Sequence, residues 1–150
     1  MLDIDSELWP EYYRLLNGNV LLKGQPVPVF DAFMSLTYDT SQDYAAIIWN
    51  QSSTLPRPGG CNFEGSISAT IEVTCGYREV MSYQECDSLV NQVEQILIPF
   101  NVRGVYNLPS FQILNATLQG TNRLDGFTAT HYEYRRLLRI NHIYLQKVIA

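Results

Sequence analysis

A chain of 150 residues with 46% hydrophobic and 17% charged side chains is long enough to bury about 70% of its unfolded surface around one core, which excludes disorder and makes disulfides or metals unnecessary for folding. A net charge of −5 excludes general affinity for nucleic acid, which calls for a basic domain, and no apolar run approaches the roughly 18 residues that cross a bilayer. Acids stand where a secretory signal would carry Lys or Arg in "MLDIDSE", so residues 1–150 read as one soluble domain with no membrane partner.

The first predicted element is a helix in "DSELWPEYYRLLNGN", capped by Asp5 or Ser6, with Leu8, Tyr12, Leu15 and Leu16 at helical spacing and Gly18 at its end. Pro10 is expected in its first turn, where a missing N–H is harmless. "NVLLKGQPVPVFD" reads as a hairpin around Gly24-Gln25, with Pro26 and Pro28 confining its second piece to a sheet edge. "YAAIIWN", Tyr44 to Asn50, is an apolar run expected as a buried strand. After it, "QSSTLPRPGGCN" reads as a long loop with Leu55, Pro56, Arg57 and Pro58 near its centre, and connections of that length often carry function.

"SISATIEVTC" alternates cleanly, with Ile67, Ala69, Ile71, Val73 and Cys75 on one face and Ser66, Ser68, Thr70, Glu72 and Thr74 on the other. Ser82 and Glu85 stand at capping-box spacing, with Met81 and Cys86 placed to staple the entry of a second helix. Its core stripe is Cys86, Leu89, Val90, Val93 and Leu97, and Pro99 stops it. The last third predicts a long hairpin: "FQILNATLQGTN", a turn in which Asp125-Gly126 supply positive φ angles, and the strand "HYEYRRLLRINHIYLQ". In that strand Tyr132, Tyr134, Arg136, Leu138, Ile140, His142 and Tyr144 share one face, while His131, Glu133, Arg135, Leu137, Arg139 and Asn141 share the other. The predicted order α-β-β-β-β-α-β-β implies an α+β fold, an antiparallel sheet with two helices packed on one face. Alternating βα units are absent, which argues against a doubly wound nucleotide-binding fold.

Catalytic chemistry finds little support. His131 and His142 fall on opposite faces of one strand, so they cannot easily share a metal, and the acids of "MLDIDSE" suit a helix start. The three cysteines have no CxxC spacing; Cys75 and Cys86 read as core. Cys61 in its Gly-rich loop is the only candidate nucleophile, and no orienting Asp or Asn accompanies it. We expect no catalytic residue, no metal site and no cofactor.

Charge is more informative when divided along the chain. Residues 1–100 hold thirteen Asp or Glu against four Lys or Arg, while residues 101–150 hold two against six, giving −9 and +4. If these portions lie on different faces, one copy offers the next the charge it lacks, steering a head-to-tail contact. Tyr and Arg, prominent in the last strand, are enriched in protein interfaces and their hot spots. Arg135, Arg136 and Arg139, with Tyr132 and Tyr134, are therefore candidate inter-subunit contacts. The arginines can also be read as phosphate contacts or as a solvated edge that blocks strand aggregation.

The run of elements, from a helix ending near "LLNGN" through strands like "VPVFD", "YAAIIWN" and "ISATIEVTC" to a "SYQECDSLVNQVEQIL" helix and closing strands like "HYEYRRLLRINHIYLQ", resembles the tail-terminator, or tail-completion, and related neck-ring proteins of tailed bacteriophages. The resemblance covers nearly the whole chain and rests on order rather than on a diagnostic motif. The long "QSSTLPRPGGCN" loop and "NVRGVYNLPS" depart from the simplest members. It implies a structural virion protein, made in the cytoplasm of a bacterial host, whose six or twelve copies form a ring at the head-to-tail junction. Adjacent neck or tail proteins would be its other partners, and DNA would pass through the lumen without specific binding. The Leu55–Pro56–Arg57–Pro58 segment would then dock on the neighbouring ring. The competing readings are a dimeric cellular interaction module of the same α+β class and a small enzyme dependent on Cys61.

Overall fold

The computed structural model describes residues 3–31, 42–56, 64–79, 83–102 and 104–147. Helix α1 (Ile4–Leu16) begins at Asp3, whose carboxylate accepts the Asp5 N–H at 3.0 Å, with Asp5 and Glu7 in the first turn where the helix dipole favours acids. The cap is thus Asp3 rather than Asp5 or Ser6, and Pro10 lies in the middle of the helix rather than its first turn. The helix tolerates Pro10 because burial of Ile4, Leu8, Tyr12 and Leu16 anchors the turns on both sides of it. Gly18, at φ +80°, takes the left-handed conformation that lets the chain leave the helix.

Strands β1 (Leu21–Leu22) and β2 (Gln25–Pro26) form a small hairpin whose turn is Lys23-Gly24, both at positive φ, one residue earlier than Gly24-Gln25. The rest of the proline-flanked piece becomes β3 (Val29–Phe30), which pairs parallel with β4 (Tyr44–Pro56) at the edge of the main sheet. β4 outruns its apolar stretch: residues 51–56 pair antiparallel with β5 (Glu64–Tyr77), so half of the expected loop is strand. The polar run "QSST" has weak strand propensity, and the continuous ladder with β5 overrides it. Arg57, Pro58 and Cys61 lie outside the described residues.

β5 is the centre of the sheet, with Ile67, Ala69, Ile71, Val73 and Cys75 buried as the alternation predicts. Its polar face is also covered at Thr70, Glu72 and Thr74, because strands flank it on both sides. Helix α2 (Gln84–Leu97) buries Cys86, Leu89, Val93 and Leu97. Its N-cap is Tyr83, with no side-chain cap bond; Ser82 and Met81 lie outside the described residues.

The chain then forms β6 (Phe111–Arg123), β7 (Gly126–Phe127) and β8 (Tyr132–Gln146). Neither Asp125 nor Gly126 takes a positive φ. The reversal instead occurs over residues 128–131, closed by the Thr128 N–H donating to the His131 carbonyl at 2.8 Å, because β7 continues the pairing with β8 past Asp125. The main sheet runs β3-β4-β5-β8-β6, with β7 also on β8, and all of its pairings except β3 with β4 are antiparallel. The fold is α+β, in the order read from the sequence with the short β3 and β7 added.

Both helices contribute to one apolar core on one side of the sheet. Trp9 and Tyr12 of α1 pack on Trp49 of β4, the Tyr12 ring standing perpendicular to Trp49 at 5.0 Å between centroids. At the centre, the His142 Nδ1–H donates to the Ile67 carbonyl at 3.3 Å, which leaves Nε2 as the acceptor of the Tyr12 hydroxyl at 2.7 Å. The Tyr106 hydroxyl closes the group by donating to the Leu97 carbonyl at the end of α2, at 2.6 Å. Tyr12, His142 and Tyr106 thereby tie α1, the sheet and the end of α2 with their buried polar atoms satisfied.

Candidate functional site

The arginine and tyrosine residues singled out in the last strand sit on β8, which is flanked by β5 on one side and by β6 and β7 on the other. An interior strand has no free ladder to protect, so the solvated-edge reading is set aside. Alternation puts Tyr132, Tyr134 and Arg136 on the helix side and Arg135 and Arg139 on the opposite side, as expected.

Arg136 is 4% exposed. Its Nη1 donates to Asp125 Oδ1 at 2.6 Å and to the Arg135 carbonyl at 3.0 Å, and its Nε lies 3.4 Å from Asp87 Oδ1. Burial alone would push the Asp125 carboxyl up, but hydrogen bonds from Arg136 and Arg123 outweigh it and hold the group below its ordinary range. Arg136 Nη2 has no hydrogen-bond partner among the described residues. Arg135 grips Glu72 Oε1 with Nε at 3.0 Å and Nη2 at 2.5 Å, and the Glu72 hydrogen bond raises its pKa. Glu133 adds a longer contact to Arg135 at 3.7 Å.

Glu72 and Asp87 belong to the acidic first hundred residues, yet they neutralise the basic strand within the same chain. The polarity along the sequence is therefore largely cancelled in space around β8. Two of the three arginines find inside the chain the carboxylates that the sequence left open for a second subunit.

Arg139 differs. It is exposed, with no hydrogen bond or ion pair to any described residue. It lies opposite Gly120 of β6 and lines a cleft of about 410 Å³ with Thr70, Gln119, Gly120, Asn122 and Leu137. Gly120 brings no side chain to the cleft, and a Cβ built there would meet nothing within 4 Å. The polar lining was missed in the sequence, although an isolated glycine inside a strand pattern is a signal of a bulge or close approach. A bulge does occur between Leu118 and Gly120.

Tyr134 is half-buried against Tyr77, while Tyr132 is exposed beside Phe127, their rings at 6.0 Å. Phe127 is 80% exposed, and Leu124 near it is also exposed. Every residue from 117 to 130 is exposed, so the β6–β8 hairpin ends in an arm with apolar side chains at its tip. Of the inter-ring candidates, Leu55 and Pro56 form the end of β4, opposite Ser66 and Gly65.

Among the described residues, no three His, Cys, Asp or Glu side chains gather as a metal site. Cys75 and Cys86 are buried and free. A hydrogen bond with Cys86 and burial push the Cys75 thiol up, away from a nucleophilic thiolate. Burial depresses the His142 imidazole to about 4, leaving it neutral and engaged with Ile67 and Tyr12. No helix among the described residues is long and apolar enough to cross a membrane.

No protein-family profile matches the chain, and no curated protein matches its sequence. Its fold does match a chain from the virion of a native gene transfer agent particle, with a TM-score of 0.64 at 10% identity, over 98% of this chain and 100% of that one. At that identity the likeness is one of fold.

Proposed function

We propose that this chain is a structural virion protein whose copies close into a ring at the head-to-tail junction. The ring joins adjacent neck or tail proteins around a lumen through which DNA passes without specific binding. The observation that carries this reading is the end-to-end likeness to a virion chain, 98% of one molecule on 100% of the other. A match of that extent concerns the whole architecture, not a shared supersecondary piece.

In this reading the mechanism is geometric. A heterologous contact repeated with a fixed rotation closes on itself, and the two faces of the ring meet its neighbours in the virion. Arg139 and Tyr132, the exposed members of the candidate set, contribute to the contact between copies. Arg135, Arg136 and Tyr134 act by holding the strand that presents them. The end of β4 at Leu55 and Pro56, with Arg57 and Pro58 beyond it, faces the adjacent ring.

The test is the size and shape of the purified protein. Light scattering across concentration is expected to give six or twelve times the 17.2 kDa chain mass, and negative-stain microscopy is expected to show particles with a central hole. A persistent monomer or a compact dimer would refute the ring and favour a cellular interaction module.

A further inference from the structure

Among the described residues, strand β6 is one edge of the main sheet, paired with β8 alone. From residue 117 to residue 123 its side chains are exposed on both faces, touched among the described residues by β8, by the Ser68 hydroxyl that donates to Gln119 at 2.9 Å and by the Tyr83 ring under Arg123, and no described strand lies along its outer side. Exposed edges are ordinarily protected by Lys, Pro or cover from another element. β6 contains neither Lys nor Pro, and its only charge is Arg123 at its end. Its two bulges bend the strand without shielding it, since every side chain from 117 to 123, around and past the second bulge, is exposed. A strand that buries so little there gains its order from pairing.

On the opposite side of the same sheet, β3 pairs with Ile47 and Ile48 of β4. Among the described residues, positions 50–56 of β4 have β5 as their sole strand neighbour, and they carry no charge. The two open stretches, 117–123 and 50–56, are both seven residues long.

Direction settles how they can meet. β4 is antiparallel to β5, β5 to β8, and β8 to β6, so β4 and β6 run in opposite senses. Rotation about an axis along the strands leaves each sense unchanged. β6 of one copy, set beside β4 of the next, therefore forms an antiparallel ladder, and the same step can repeat around a closed ring. We infer that the copies are joined by strand addition, residues 117–123 of β6 pairing with residues 50–56 of β4 in the adjacent copy, so that the sheet continues from subunit to subunit. This inference rests on the ring reading and names its contact. Backbone hydrogen bonds supply the join, and Arg139, beside Gly120, flanks the seam.

Hydrogen exchange followed by mass spectrometry on the unmodified protein tests it, comparing the assembled particle with the chain diluted below its association midpoint. Amides in both 50–56 and 117–123 are expected to exchange at least about tenfold more slowly in the assembly, while β5, paired on both sides already, changes little. Slowing confined to 117–123 overturns the inference in favour of a two-fold β6–β6 pair. If rings form and neither segment slows, the pairing is wrong while the ring stands. A chain that stays monomeric at every concentration removes both. As a second measure, Thr117→Lys with Thr121→Lys, both exposed in the monomer, is expected to raise the association midpoint at least tenfold with an unchanged melting temperature; unchanged assembly would contradict the seam.

Discussion

His142 is 0% exposed in a chain that has only two histidines, and its environment decides its protonation. With Nδ1 donating to Ile67 and Nε2 accepting from Tyr12, the neutral ring is fully used, and burial lowers its pKa from 6.5 to about 4. The unfolded chain thus binds a proton near pH 6.5 that the folded chain refuses until about pH 4. Stability from this residue is present above 6.5 and is lost as pH falls towards 4, by about 3 kcal/mol in all. His142→Gln keeps an acceptor for Tyr12 but does not titrate. Urea denaturation at pH 7.5 and pH 4 is expected to show a variant less stable by about 1–2 kcal/mol at the higher pH, with the gap closed or reversed at the lower one. A gap independent of pH would mean that His142 is protonated equally in both states.

Pro10 carries the corresponding argument at the scale of the element. It interrupts α1 in its interior, is exposed, and removes the N–H that would donate to the Ser6 carbonyl. Pro10→Ala is therefore expected to stabilise the protein by about 1–3 kcal/mol, read as a higher denaturation midpoint; a fall would show that the proline ring makes a contact worth more than the missing bond. The position of Pro10 was misread because local preference places proline early in a helix, whereas the caps and apolar anchors of α1 outweigh it. β5 and α2 were readable for the opposite reason: their periodicities coincide with the faces they bury, Ile67 to Cys75 and Cys86 to Leu97. β4 beyond Asn50 was not, since "QSST" carries no strand signal and owes its extension to its partner. For the arginines, alternation assigned the faces correctly. It could not reveal Glu72, Asp87 and Asp125 as their partners, because residues of β5, of α2 and of the β6–β7 connection meet only in the folded chain.

At the scale of the whole molecule, the sequence-wide split of −9 and +4 suggested a polarised particle, and the fold redistributes it. β8 sits against β5 and α2, so Arg135 and Arg136 are answered where they stand. Of the three arginines, only Arg139 is left without an ion pair to a described residue, and the proposed seam on the edge of β6 runs beside it. Reversing Arg135 as well would set a carboxylate against the buried Glu72 and damage the fold, which makes it a poor probe of association. Arg139→Glu breaks no hydrogen bond or ion pair to any described residue. It is expected to leave the melting temperature within about 2 °C of the parent, as for a surface change away from other features, while raising the concentration at which assembly is half complete by about tenfold, a change of about 1.4 kcal/mol per contact. Sedimentation velocity across a dilution series measures the second quantity and thermal denaturation the first. Arg136→Glu, which puts a third carboxylate between Asp87 and Asp125 in a buried position, should instead lower the melting temperature and reduce assembly only through the loss of folded chain. If Arg139→Glu assembles as the parent does, the contact between copies is carried by the strand edge without help from its charge.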